Sequence, residues 1–253
     1  DPAYGRHGGD SCSARGLEQE MALAGSGGLG MAVAVQTEMA TPPLNKFGTP
    51  EQKRKWLAPA IRGDMIAAIA MTEPDAGSDL ANIQTIARRD GNEWVINGRK
   101  IFITNGARAS WVLLVTKGDR ERGHKGYNLL LVEKGTPGYS VTRTLEKLGM
   151  HSSDTAEPLF EDCRVPLHNL SGAEGAGFQQ RILELQAERL LPACVAAAGT
   201  TTTSAHAVAH AQGRRPSTTR PPPPQHWLAP VIPASPPESS PRRCSSSASP
   251  ARH

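Results

Sequence analysis

The spacing of apolar and polar residues along the chain changes period twice. From about Ser13 to Arg62 it is helical. Ser13-Ala-Arg-Gly-Leu17-Glu-Gln-Glu-Met21-Ala-Leu23 sorts into an apolar and a polar face when counted by threes and fours. Thr49-Pro50-Glu51-Gln52 is a helix start, with Thr as N-cap, Pro at the first helical position and Gln three residues after the cap. The helix it opens is predicted to bury Trp56, Leu57 and Ile61 and to stop at Gly63.

The period then shortens. Met65 to Met71 is a short apolar run that enters the loop Thr72-Glu73-Pro74. Thr85–Arg89 and Glu93–Asn97 flank Asp90-Gly91, a hairpin signal. Further strands are predicted over Lys100–Asn105, Trp111–Lys117, Tyr127–Glu133 and Tyr139–Leu145. Many short strands joined by tight turns point to an antiparallel β-barrel or sandwich. From Gly177 to about Ala198 the helical period returns, with Phe178, Ile182, Leu185, Leu190 and Val195 available to one broad face. After Gly199 the apolar pattern fades into Thr, Arg, Pro, Ser and Ala, so residues 200–253 are expected to be disordered with local polyproline II at Pro221 to Pro224.

Charge divides the 253-residue chain at the same place. The net charge is +4, yet residues 200–253 hold six Arg, no Lys and a single acid, Glu238. The basic balance therefore belongs to the tail, and the rest is near neutral. Aromatics make up 4%, too few for a base-stacking surface, and a nucleic-acid partner is not expected. No apolar run approaches the roughly 18 to 20 residues that span a bilayer. The four cysteines are far apart and include no CxxC pair, which argues against a zinc ribbon or a thioredoxin-like site. The start at Asp1 without Met leads us to expect that the true beginning of the protein lies upstream.

Several stretches carry possible chemistry. Gly25-Ser-Gly27-Gly28-Leu29-Gly30 fits a dinucleotide GxGxxG pattern, but a helical pattern precedes it where a strand is required, so a loop between helices is the better account. Met71-Thr-Glu-Pro-Asp-Ala-Gly77-Ser78-Asp79 gathers small and polar residues after a buried strand. It can be a ligand loop or an ordinary capped turn. Alternation places Phe102 and Thr104 on one strand face, suited either to a flat heterocycle or to core and strand end. Glu184 and Glu188 are one turn apart on the last helix, either a base with raised pKa or a solvated face. His151-Ser-Ser-Asp154 has triad residue types without triad spacing, and the sequon at Asn169-Leu-Ser171 is discounted.

Taken together, the segments from Ile69 to Asp79, Trp94 to Gly106, Lys147 to Thr155, Phe160 to Pro166, Gly172 to Phe178, and Glu188-Arg-Leu190 resemble the acyl-CoA dehydrogenase family, in order and spacing. The resemblance runs from about Gly8 to Gly199. It implies an α+β chain: a helical N-terminal segment (1–64), a central antiparallel β-barrel-like domain that binds flavin and acyl-CoA (65–170), the first helix of a C-terminal bundle (171–199) and the tail (200–253). It implies FAD as cofactor and oxidation of an acyl-CoA thioester to the trans-2-enoyl-CoA, in fatty-acid or branched-chain amino-acid catabolism. Ile69, Met71, Thr72, Gly77 and Ser78 match flavin-lining positions, and Ser78 also lies near the pantetheine arm. Phe102 matches the aromatic against the isoalloxazine, and Thr104 the hydroxyl near N5. Arg189 matches a position near the acyl-CoA. Most members carry the base late in the bundle; a long-chain and branched-chain subgroup carries it just before an arginine on the first bundle helix, which Glu188-Arg189 resembles.

The resemblance further implies electron-transfer flavoprotein as acceptor, a homotetramer in full-length relatives, and residence in the mitochondrial matrix or bacterial cytoplasm. The first helices of the N-terminal domain and most of the bundle are expected to be missing here. The Lys-free Arg/Pro/Ser/Ala tail is what GC-rich coding DNA yields in a wrong frame or a read-through intron, so an artefact or a splice variant is expected. Two further readings stay open: a catalytically inactive product acting as a binding fragment, with Pro221 to Pro224 as ligand and Arg214-Arg-Pro-Ser217 as phosphorylation site, and an acyl-CoA oxidase-like enzyme of the same fold.

Overall fold

The computed structural model describes residues 4, 11–118, 123 and 125–214. The tail readings from residue 215 onward fall outside these.

The helical segment comprises α1 (Ser11–Leu23), then α2 (Gly27–Ala34), which runs through a π-helical stretch, Val35–Ala40, into α3 (Thr41–Phe47). After a break come α4 (Pro50–Gln52), a π-helical turn (Lys53–Leu57) and α5 (Ala58–Arg62). Of the GxGxxG stretch only Gly25 (φ +72°) and Ser26 lie in the turn between α1 and α2; Gly27 to Gly30 form the first turn of α2, so the expected loop is shorter than predicted. Thr49 caps α4 as expected. Its hydroxyl accepts from Gln52 N, and Gln52 Oε1 accepts from Thr49 N at 3.0 Å. Gly63 ends α5 in the left-handed region at φ +85°, with Asp64 N donating back to Pro59 O.

Eight strands follow: β1 (Ala67–Ala70), β2 (Ile86–Asp90), β3 (Glu93–Arg99), β4 (Ile103–Thr104), β5 (Trp111–Lys117), β6 (Tyr127–Glu133), β7 (Tyr139–Thr144) and β8 (Thr155–Pro166). They form one sheet in the order β1-β5-β2-β3-β8-β4, with β6 on β5 and β7 on β8. The terminal strands β1 and β4 lie against each other, so the sheet is curled into a nearly closed barrel. Three expectations need correction. The sheet is mixed, because β1 and β5 pair in parallel, as do β2 and β5 at Ile86–Lys117. The hairpin turns one residue later than predicted, since Asp90 pairs with Glu93 and leaves Gly91-Asn92 as the turn. The longest strand, β8, was not predicted. Its alternation is interrupted by Pro158 and by a kink at Asp162 (φ +46°), yet it pairs with β3, β4 and β7.

Alternation along β5 explains two cores. Trp111, Leu113 and Val115 join Leu44, Trp56, Leu57, Ile69, Met71 and Phe178 between sheet and helices, while Val112 and Leu114 point into the barrel with Trp94, Ile96 and Phe160. Polar side chains tie the helices to the sheet. Gln36 donates to Ala60 O and Met65 O and accepts from Ala67 N at 2.6 Å. Gln52 Nε2 donates to His168 O and Leu170 O, both at 2.7 Å. Trp56 Nε1 donates to Glu133. The sequon is unavailable: Asn169 is buried and donates to Leu131 O, and Ser171 is buried too.

The last helix, α6 (Gly177–Gly213), packs against α1, α3 and β6. It runs on past Gly199, where order was expected to end. The Thr200 hydroxyl donates to Ala196 O at 2.8 Å, and residues 205–211 are rich in Ala, so local helicity persists without a core to bury. The face is also different from the one expected. Arg181, Glu184 and Glu188 are buried, whereas Ile182, Leu183 and Leu190 are exposed.

Thr49→Ala removes the cap alone and is expected to cost about 1 kcal/mol of unfolding free energy. Gln52→Ala also strands two carbonyls and is expected to cost more. Urea unfolding of the two variants, with equal costs as the contrary result, checks the ranking.

Candidate functional site

Closure of the barrel places the loop after β1 beside the start of β4. Ile101 N donates to Thr72 O at 2.9 Å, and Asn105 Nδ2 donates to Ala32 O at 2.9 Å from below. Ile69, Met71 and Thr72 are half-buried at the end of β1, and Gly77 and Ser78 are exposed in the loop beyond it. That loop is folded on itself by the reciprocal pair Glu73 N to Ala76 O and Ala76 N to Glu73 O.

The expected strand over 100–105 is present only as Ile103–Thr104. Phe102 sits at φ +60° with 63% of its surface exposed, so simple alternation does not describe this stretch. A large apolar side chain held in the left-handed region and turned to solvent is doubly unfavourable, and such positions concentrate at ligand sites. In the two segments joined by the Ile101–Thr72 bond, the hydroxyls of Thr72, Ser78 and Thr104 have no hydrogen-bond partner among the described residues. An exposed ring and uncommitted hydroxyls are the chemical groups with which a protein contacts a flat heteroaromatic ligand with polar edges.

The arrangement is held by a pair that the apolar pattern did not reveal. Lys100 is fully buried; its Nζ donates to Glu73 Oε1 at 2.8 Å and to Met71 O at 2.9 Å. Glu73 also accepts from Gln84 N and Thr85 N. Burial pushes the Lys100 ammonium down to about 8, against the pull of Glu73. For Glu73, burial acts upward, but Lys100 and the two amides outweigh it and hold the carboxyl below its ordinary value. A lysine and a glutamate in a loop of small residues were the available signal.

On α6, Arg181 and Glu188 form a buried two-armed ion pair, Nη1 to Oε1 at 2.5 Å and Nη2 to Oε2. Arg181 Nε lies 3.4 Å from Met71 Sδ, which joins the pair to the end of β1. Glu184 is buried one turn earlier. Burial raises its carboxyl, with Lys46 and Arg181 opposing and Glu188 reinforcing. The solvated-face account of Glu184 and Glu188 is therefore overturned. Arg189, by contrast, is exposed and has no partner among the described residues. Arg181 was missed; its seven-residue spacing from Glu188, two helical turns, was the signal.

Among the described residues, no group of three metal-ligating side chains converges, and no helix is long and apolar enough to cross a membrane.

Comparison with known proteins agrees with this geometry. Residues 1–64 match the acyl-CoA dehydrogenase N-terminal domain and residues 68–163 the acyl-CoA dehydrogenase middle domain. A short-chain specific acyl-CoA dehydrogenase of Clostridium acetobutylicum is 39% identical over 187 residues, which cover 74% of this chain and 49% of that protein. The mitochondrial long-chain specific enzyme of Mus musculus is 41% identical over 190 residues, covering 74% of this chain and 44% of that one. The crystal structure of an acyl-CoA dehydrogenase from Geobacillus kaustophilus superposes with a TM-score of 0.84 at 38% identity, over 90% of this chain and 60% of that chain. The chain belongs to the acyl-CoA dehydrogenase family, whose members are FAD flavoproteins. It spans about half the length of the curated relatives it matches.

Removing one partner of a buried pair leaves an uncompensated charge. Lys100→Met is expected to cost about 3–5 kcal/mol, with much of this recovered in Glu73→Gln/Lys100→Met. Because the Glu73 carboxyl is held low in the folded chain, its contribution is complete above the ordinary carboxylate value and is lost as pH falls from there through the lowered folded value. Denaturant unfolding against pH should show a shallower acid limb in the double variant, and parallel limbs would contradict the assignment.

Proposed function

We propose that this chain binds FAD and acts on an acyl-CoA thioester by α,β-dehydrogenation, with Glu188 as the base. The observation that carries the reading is the junction of three groups at one end of the barrel: the exposed Phe102, the uncommitted hydroxyls of Thr72 and Thr104, and the buried carboxylate of Glu188 linked to Met71 through Arg181.

The residues present fit a flavin. Phe102 offers a face to its ring system; Thr72, Ser78 and Thr104 offer hydroxyls to its polar edge; Ile69, Met71 and Gly77 complete the lining. When bound, FAD supplies a two-electron acceptor for the β-hydride. The rest is done by the chain. Ser78 and Arg189 are the residues we assign to the thioester's CoA arm. The Glu188 carboxylate takes the α-proton, and the electron pair of that C–H bond becomes the Cα–Cβ π bond as the β-hydride departs. Burial of Glu188 and its surroundings excludes water, which keeps the carboxylate poorly solvated and the site low in dielectric. Electron-transfer flavoprotein is the acceptor we propose for the reduced cofactor. The comparable identities to short-chain and long-chain relatives leave acyl length unselected.

A second reading is a product that binds without turning over. Absorbance separates the two. Purified chain loaded with FAD should show the flavin spectrum and bleach anaerobically on adding an acyl-CoA. A flavin spectrum without bleaching favours the binding fragment, and failure to hold FAD sinks the proposal. Phe102→Ala is expected to weaken FAD binding about tenfold, the value of a lost ring contact. Glu188→Gln should retain FAD and abolish bleaching.

A further inference from the structure

Resting on Glu188 as base, we infer that Arg181 is its positioning residue: the guanidinium fixes the carboxylate on the inner face of α6 and aims it at the end of β1. The inference starts from what α6 turns inward. Beside Phe178, which packs into the core, the helix buries three charged side chains, Arg181, Glu184 and Glu188. Burying charged side chains is costly unless each is satisfied. Arg181 is 1% exposed and meets that condition through Glu188, which takes both arms of the guanidinium.

The geometry assigns more than neutralisation. A bidentate fork fixes the carboxylate plane as well as its position, which a point charge cannot do. Each carboxylate oxygen gives one lone pair to Arg181 and keeps another for a proton. The third donor of Arg181, Nε, rests on Met71 Sδ, and the Met71 carbonyl is gripped by Lys100, itself paired with Glu73. A continuous series of contacts thus runs from the base on α6 through Arg181 to the loop carrying Thr72, Gly77 and Ser78. Arg181 sets the base relative to the surface on which the substrate lies. The other charged groups at hand are Glu184, one turn away, and Lys46 from α3, and neither reaches Glu188 in a hydrogen bond.

The step that reads this residue needs no cofactor. Glu188 removes the α-proton of an acyl-CoA while the C–H electron pair moves into the thioester carbonyl as an enolate. The proton exchanges with solvent, and reprotonation at Cα returns the thioester. In D2O this inserts deuterium at Cα, measured by mass spectrometry with butyryl-CoA and palmitoyl-CoA as probes on the FAD-free chain. The parent chain should exchange and Glu188→Gln should not. Arg181→Met should exchange about 100-fold more slowly at saturation with KM within about threefold, the signature of a misplaced base. Should Arg181→Met fail to fold, Arg181→Lys, which keeps the charge and loses the fork, is expected to be about tenfold slow. Exchange at the parent rate in the folded Arg181 variant, or a loss confined to KM, overturns the inference while leaving Glu188 as base. Exchange unaffected by Glu188→Gln, or absent from the parent chain, overturns the base assignment and this inference with it.

Discussion

Lys100 carries a charge where no water reaches it, and the shape of the site follows from that. Its ammonium is tolerated because Glu73 lies 2.8 Å away and the Met71 carbonyl 2.9 Å away. Both partners belong to the loop after β1, whereas Lys100 precedes β4 at the other terminus of the sheet. The pair therefore spans the seam at which the barrel nearly closes. Backbone bonds alone supply little there, the link from Ile101 to Thr72 being one. A charged contact in low dielectric supplies direction and strength together, and a buried pair has to be complete to be tolerated. Phe102 is held in a left-handed conformation two residues beyond this anchor, a cost that a less constrained segment would relax.

The helices meet the sheet at the same seam. Gln36, in the π-helical stretch, bonds to β1 and to the segment just before it; Asn105, just after β4, bonds to Ala32. α6 reaches the other end of β1 through Arg181 and Met71. Three parts of the chain far apart in sequence thus meet one four-residue strand, Gln36 and Asn105 at its first residue, Ala67, and Arg181 just past its last, at Met71. A candidate base on one element and a candidate flavin surface on two others acquire a fixed relation only because each is tied to β1.

Much of this was legible in the sequence, for definite reasons. The capping box at Thr49, the stop at Gly63 and the strands at Trp111–Lys117 and Tyr127–Glu133 are local matters of propensity, capping and continuous apolarity, and all appear in the structure. β8 escaped because its proline, acids and kink break the alternation by which strands are read, though pairing with three neighbours more than compensates. The helix beyond Gly199 escaped because low apolar content argues against a core, not against a helix. The face of α6 was read only in part: Phe178 packs inward, but a helical wheel ranks residues by apolarity and has no knowledge of an ion pair waiting inside.

By itself, then, the sequence determined the local elements, the near-neutral body and the basic tail, and the motifs that carry the family resemblance, because each depends on neighbours within a turn or a hairpin. Only the tertiary structure decided which polar groups are buried and with whom. Lys100 with Glu73 and Arg181 with Glu188 are ordinary charged residues in the chain. They become structural and chemical determinants once folding removes water, because the energy of a charge is set by everything that surrounds it in three dimensions.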